Sequence, residues 1–186
     1  MDTEGSPHRG ALIGAAISGA FGGLWAVWGA SGVRGAGHWV LVALGVVLGV
    51  AVAGVAVVLA LRARTDGAGG DGSMFASRSY RVVVAAEVVA IVVGNVLLGR
   101  AGLGAYVIAW TAFVVGVHFL AFGRAFDRVF AAIGALMIAG AALGVLFGVV
   151  GGGDDAVLVV TGLVSAVVLL GAGAWTVLGA LRAREH

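Results

Sequence analysis

Six long apolar stretches, each bounded by arginine or glycine, decide what this chain can fold into. They occupy residues 10–29, 38–61, 82–98, 104–122, 129–150 and 156–181. Each approaches or exceeds the roughly 17 residues that carry a helix across a ~30 Å hydrocarbon core. Inside such a core every backbone N–H and C=O must be satisfied by the protein itself, so segments of this length have to be helical. The rest of the 186 residues cannot counterbalance them, because 61% of the chain is hydrophobic and 11% is charged. Soluble domains carry about 25% charged residues, so a water-covered surface is out of reach. The expectation is an all-α polytopic membrane protein, a bundle of six transmembrane helices arranged as three antiparallel hairpins. For the first stretch a cleaved signal peptide is the rival, with Ala30, Ser31 and Gly32 as a small-residue cleavage site. Its apolar run exceeds the ~7–15 residues of a signal core and its leader is not strongly basic, so a retained helix is expected.

The basic residues set the orientation. All 11 are arginine. With the N-terminus inside, Arg9, Arg62, Arg64, Arg78, Arg81, Arg124, Arg128, Arg182 and Arg184 are cytoplasmic, while Arg34 and Arg100 are outside. Nine against two follows the positive-inside rule and predicts both termini in the cytoplasm. Trp25, Trp28, Trp39 and Tyr106 gather toward the outer interface and Tyr80 and Trp175 toward the inner one. The arginines account for the sequence pI near 9.9 as a topology signal, and nucleic acid is not an expected partner. Arginine without lysine, with 34 glycines, points to a GC-rich bacterial genome and so to the bacterial cytoplasmic membrane, with the lipid bilayer as the first partner.

Residues 1–9 read as a polar cytoplasmic tail, 10–181 as the membrane domain and 182–186 as a second cytoplasmic tail. Short outer connections at 30–37, 99–103 and 151–155 force the hairpins. The inner connection 62–81 reads as a flexible loop, with glycines and aspartates at its centre. Leu61-Arg62-Ala63-Arg64 is echoed by Leu181-Arg182-Ala183-Arg184. Three tandem hairpins would give that register, although a composition so biased also yields such echoes by chance.

The candidate site lies in the third and fourth stretches. Glu87 is six residues after Arg81, and His118 is six residues before Arg124. At 1.5 Å of rise per residue, both sit about 9 Å inside a basic flank. Antiparallel neighbours would hold them at one depth. Asn95 and Thr111, 14 and 13 residues from the same flanks, form a second matched pair, with Trp110 beside them. An ionisable group at membrane depth costs several kcal/mol unless paired or hydrated, and marks a functional site by default. Imidazole also changes charge between about pH 5 and 8. Two readings stay open: a structural clamp, or a proton or substrate site of a small transporter or permease. A non-transporting accessory or scaffold subunit is the alternative for the whole protein.

Glycine spacing supplies a packing signal. Gly10, Gly14, Ser18 and Gly22 recur every four residues, as do Gly140, Gly144, Gly148 and Gly152; the second stretch offers Gly45, Gly49 and Ala53. Small residues at this spacing let helix backbones approach closely. They serve contacts within one chain or an interface with a second copy or a partner subunit, and the sequence leaves both open. Ser18, Thr161, Ser165 and Thr176 are expected to bond their own helix backbones.

Other chemistry is not expected. The absence of cysteine removes disulfides and thiolate chemistry. Residues 67–72 match G-x-G-x-x-G but follow a membrane helix instead of a strand, so no nucleotide site is expected. Asp154 and Asp155 read as solvated acids. His38 and His118 fall near opposite faces, which disfavours a haem between them. No catalytic set, metal or cofactor is expected, and therefore no enzyme.

The run Gly116-Val117-His118-Phe119-Leu120-Ala121-Phe122-Gly123-Arg124-Ala125-Phe126 resembles small, uncharacterised multi-span bacterial membrane proteins in which a G-x-H-F run ends a helix. There, a short basic turn and another apolar helix follow. The likeness covers about forty residues, including Gly94-Asn95 more loosely. Those proteins often carry proline near the position of Ala121, where this chain has none. The resemblance singles out His118 and implies no activity.

Overall fold

The computed structural model describes residues 9–65, 78–125 and 127–185. They form α1 (Arg9–Ala30), α2 (Ala36–Thr65), α3 (Arg78–Arg100), a 3-10 turn (Gly104–Tyr106), α4 (Val107–Ala125), α5 (Arg128–Phe147), a π-helical turn (Gly148–Gly152) and α6 (Gly153–Arg182). No strand occurs among the described residues. Valine and glycine are indifferent or poor helix formers in water. Their long helices here fit a lipid setting, where backbone groups have no other partner.

Five helical stretches are long and apolar enough to cross a membrane: Arg9–Ala30, Ala36–Ala63, Arg81–Arg100, Gly104–Arg124 and Arg128–Arg182. The last, 55 residues in all, comprises α5 and α6, which are joined at a kink within the expected outer connection at 151–155. The chain leaves helical geometry at that kink, so α5 and α6 are two helices joined by a tight turn. Gly151 takes φ 124° and Gly153 φ 61°, conformations that glycine adopts without a Cβ clash. Helix ends also extend past the expected bounds. Arg9 belongs to α1, α2 continues to Thr65, α3 begins at Arg78, and Arg182 closes α6. The Gly-Asp run at 67–72, expected to be a flexible loop, lies outside the described residues.

Small residues determine which helices touch. Gly19 meets Gly49 and Ala53 of α2, and Gly23 meets Gly45 and Gly49. On the other side of α1, Gly22 meets Leu170 of α6, and Gly29 meets Gly162 backbone to backbone. In α5, Gly140, Gly144 and Gly148 receive Val164, Thr161 and Val157 of α6. Gly116 and Gly123 of α4 fit against Gly134, Ile138 and Ala131 of α5. In every one of these pairs numbering rises on one helix as it falls on the other.

Two clusters of buried side chains result. Trp25, Ile108, Ile133, Met137, Val157 and Leu169 join α1, α4, α5 and α6. Leu12, Ala15, Ala56, Leu59 and Val177 join α1, α2 and α6. Trp25, expected as an interface anchor, is 5% exposed and stacks on Trp28 at 5.5 Å. Trp39 and Trp175 remain exposed. α3 contributes to neither cluster. It packs on α4 and the 3-10 turn, and none of Arg81–Arg100 is buried.

The outer surface is apolar almost throughout, with Phe21, Leu24, Val47, Val89, Leu97 and Val167 among its exposed side chains. Such a surface fits lipid and not water. This is a membrane protein.

Candidate functional site between α3 and α4

α3 meets α4 along one stripe. Its partly buried residues fall at 83–84, 87, 90–91, 94–95 and 98. That spacing alternates three and four, the seam expected of helices crossing at a shallow angle. Glu87, Gly94 and Asn95 all lie on it.

Glu87 and His118 come together. His118 Nδ1 is 2.9 Å from Glu87 Oε2, with side-chain exposures of 11% and 17%. The nitrogen has no hydrogen-bond partner of acceptable geometry, so its N–H does not aim at that oxygen. Separation is the better guide to the attraction, since Coulomb energy depends on distance and only the directional part of a hydrogen bond on angle. A bare ring nitrogen and a carboxylate oxygen would repel at this range. The contact therefore requires a proton, either on Nδ1 or on the carboxyl group. His118 is also held by aromatic neighbours: Phe122 at 4.1 Å and Phe119 at 5.4 Å between ring centroids. Phe130 of α5 stacks on Phe119 at 6.1 Å.

Trp110 anchors the middle of the seam. Its indole Nε1 donates to the Ala90 carbonyl at 3.0 Å, and a methyl group on Gly94 would overlap the indole. Glycine is thus required at position 94 for Trp110 to lie against α3. The outer pair is weaker. Thr111 Oγ1 lies 2.8 Å from the Val107 carbonyl of its own helix and 3.4 Å from Asn95 Oδ1. One hydroxyl proton cannot serve both, and the shorter bond takes it. With the Asn95 amide turned, its NH2 donates to Thr111 instead.

Beside the inner pair a groove of about 370 Å³ separates the two helices. Val82, Ala86, Phe113 and Val117 wall it, together with Trp110, and among the described residues Glu87 and His118 are its ionisable lining. Val82, Phe113 and Val117 are 58%, 42% and 45% exposed, so the groove opens on the outer surface of the bundle.

The remaining sequence candidates separate. Gly22, Gly140, Gly144 and Gly148 pack closely on α6, whereas Gly10 and Gly14 face open space. The close contacts of α1 lie instead at Gly19, Gly22, Gly23 and Gly29, because the helix turns its small residues to two neighbours at once. Ser18 Cβ lies against Gly173 of α6. Thr176 bonds the Ala172 carbonyl at 3.1 Å as expected. Thr161 and Ser165 do not follow the same pattern: both hydroxyls are fully buried and without a partner. Thr161 is turned onto Gly144. Asp155 pairs with Arg34 at 3.1 Å, and His38 Nδ1 bonds the Ala30 carbonyl at 2.8 Å, closing α1. No three His, Asp or Glu side chains cluster among the described residues.

Sequence reasoning missed the Trp110–Ala90 bond, the seat at Gly94 and the phenylalanines around His118. A tryptophan, a glycine and an aromatic run were visible, but which helix faces they shared was not. Fold and site together define an all-helical membrane protein with a carboxylate–imidazole pair at a lateral groove. No family model, curated protein or solved structure matches the chain.

Proposed function

We propose that this chain is a small transporter-like protein of the bacterial cytoplasmic membrane, whose working site is the Glu87–His118 pair. Six crossing helices in three antiparallel hairpins, with both termini cytoplasmic, form its scaffold. Opposed numbering at the glycine contacts supports the hairpins. The arginine distribution, nine against two, supports the orientation. A cytoplasm-sensing reporter fused after His186 should be active and a periplasmic reporter silent; the reverse result removes the topology.

The observation that carries the functional reading is the 2.9 Å contact beside a groove that opens on the outer surface of the bundle. A purely structural clamp needs no cavity. A carboxylate and an imidazole in close contact next to a ligand-sized space supply a switchable charge at fixed depth. Proton flux in liposomes should be measurable with the wild-type chain and lost in Glu87→Gln. A folded protein with no flux in either form returns the pair to a clamp.

One feature favours the second reading, an accessory or scaffold subunit. α3 buries none of Arg81–Arg100 and rests on α4 and the 3-10 turn, leaving its other faces uncovered. Native mass spectrometry from mild detergent decides between a free chain and one that carries a partner subunit or a second copy.

A further inference from the structure

We propose that the groove between α3 and α4 binds a hydrophobic organic cation arriving sideways from the bilayer, with Glu87 as its counter-charge. This inference rests on reading the Glu87–His118 groove as a ligand site and names the ligand class.

Size and lining point to a small organic molecule. A volume of about 370 Å³ falls within the ~300–1,000 Å³ typical of such sites. The walls are valine, alanine and aromatic carbon, which match an apolar body. Trp110 has its one polar atom occupied by the Ala90 carbonyl, so what it offers a ligand is an aromatic ring. Its neighbour Phe113, 5.9 Å away between centroids, offers another. Aromatic rings attract cations through their quadrupole, most strongly where water is excluded.

Charge then selects the ligand. Glu87 and His118 are the ionisable groups of the lining, and the carboxylate remains partly accessible at 17%. A carboxylate offers about four acceptor directions, and the misaligned His118 contact occupies no more than one. An anion would meet Glu87 as a like charge. A neutral ligand would leave the free acceptor directions of the carboxylate unused, whereas a cation can take the place of His118 as their partner. A cation with an apolar body answers both needs. Access is lateral because the rim residues Val82, Phe113 and Val117 are exposed on the outer surface of the bundle.

His118 then competes for the same carboxylate. The element packed against Glu87 is α4, and the other charged groups nearest in sequence on the two helices are Arg81 and Arg124, six residues away toward the helix ends. Both stay charged at all relevant pH. A protonated His118 neutralises Glu87 internally, so cation binding weakens on acidification and a bound cation favours release of the proton. That is the coupling an exchanger needs.

The test uses the full chain in mild detergent with tetraphenylphosphonium, and tetraphenylborate as the same shape with opposite charge, read by equilibrium dialysis. The phosphonium should bind saturably and at least tenfold more tightly than the borate, and more tightly at alkaline than at acidic pH. Glu87→Gln should lose about tenfold or more, and Glu87→Asp should keep most of the affinity. His118→Gln should still bind but flatten that pH dependence. Equal binding of the two probes, or an undiminished Glu87→Gln, overturns the inference. If Glu87→Gln fails to fold, the two-probe comparison on the wild type decides alone. Cation binding without flux would keep the site and remove the transport reading. Flux without cation binding would overturn this inference and leave that reading standing.

Discussion

α1 and α3 are apolar helices of 22 and 23 residues, yet they are held in opposite ways. α1 buries nine residues and lies between α2 and α6 with glycine against backbone on both sides. α3 buries none over Arg81–Arg100, and its seam with α4 carries a carboxylate–imidazole contact, an indole–carbonyl bond and an amide–hydroxyl contact. Lipid tails are as apolar as valine, so hydrophobicity cannot choose a neighbour for either helix. α1 is chosen by closeness of approach and α3 by polar side chains. The first arrangement is rigid. The second can change strength with a proton, which suits the helix that borders the groove.

The largest effect should separate these two modes. Gly162→Leu forces a side chain into the backbone of Gly29, and overpacking typically costs about 1–3 kcal/mol, more where backbone must move. The expected loss is at or above the top of that range in a detergent unfolding titration. Gly94→Leu is equally crowded, by Trp110, but should release α3 alone. Limited proteolysis should then cut near α3 while the rest of the bundle stays resistant. Global unfolding of both variants alike would erase the distinction.

Next comes the pair itself. Stranding a buried polar group costs about 1–3 kcal/mol, and more for a charge. Glu87→Gln and His118→Ala should each destabilise by roughly that amount, and the double variant by clearly less than the sum. Additive losses would mean that the 2.9 Å contact carries no coupling.

The seam shows what a sequence can and cannot disclose. Equal offsets from Arg81 and Arg124 put Glu87 and His118 at one depth, and the fold has them in contact. Depth is readable because it follows from rise per residue and basic flanks. Rotation about the helix axis is not, since a stripe of small residues looks alike whichever neighbour it meets. Gly10 and Gly14 continue the four-residue spacing of α1 but face open space. Thr161 and Ser165 were expected to back-bond like Thr176, yet they are turned into packing where no acceptor lies. The outer corner at 151–155 was visible as a glycine cluster. There Val157 of α6 packs on Gly148, a contact with no local signature.

Smaller effects belong to the neutral contacts of α3. Trp110→Phe keeps the ring and removes the bond to Ala90, for a loss of about 0.5–1.5 kcal/mol. Thr111→Val should cost less, near the ~0.6 kcal/mol average for interhelical hydrogen bonds in lipid. Its hydroxyl proton is already given to Val107, and the Asn95 contact is long at 3.4 Å. A Thr111 loss exceeding that of Trp110 would mean that Asn95 and Thr111, and not Trp110, hold the outer half of the seam.

The smallest effect tests whether burial, and not charge as such, makes the Glu87–His118 pair strong. Arg34 and Asp155 are as close, at 3.1 Å, but their side chains are 89% and 50% exposed. Exposed pairs gain little in water and are screened by salt. Arg34→Ala should therefore leave the unfolding midpoint nearly unchanged, and raising the salt should remove what difference remains. Asp155→Ala should cost more than Arg34→Ala, because Asp155 also lies in the first turn of α6, where the positive end of the helix dipole favours an anion. The two losses should add, since most of the Asp155 effect does not pass through Arg34. A coupling energy at Arg34–Asp155 equal to that at Glu87–His118 would show that separation alone governs both. The low dielectric around α3 would then lose its part in holding that helix.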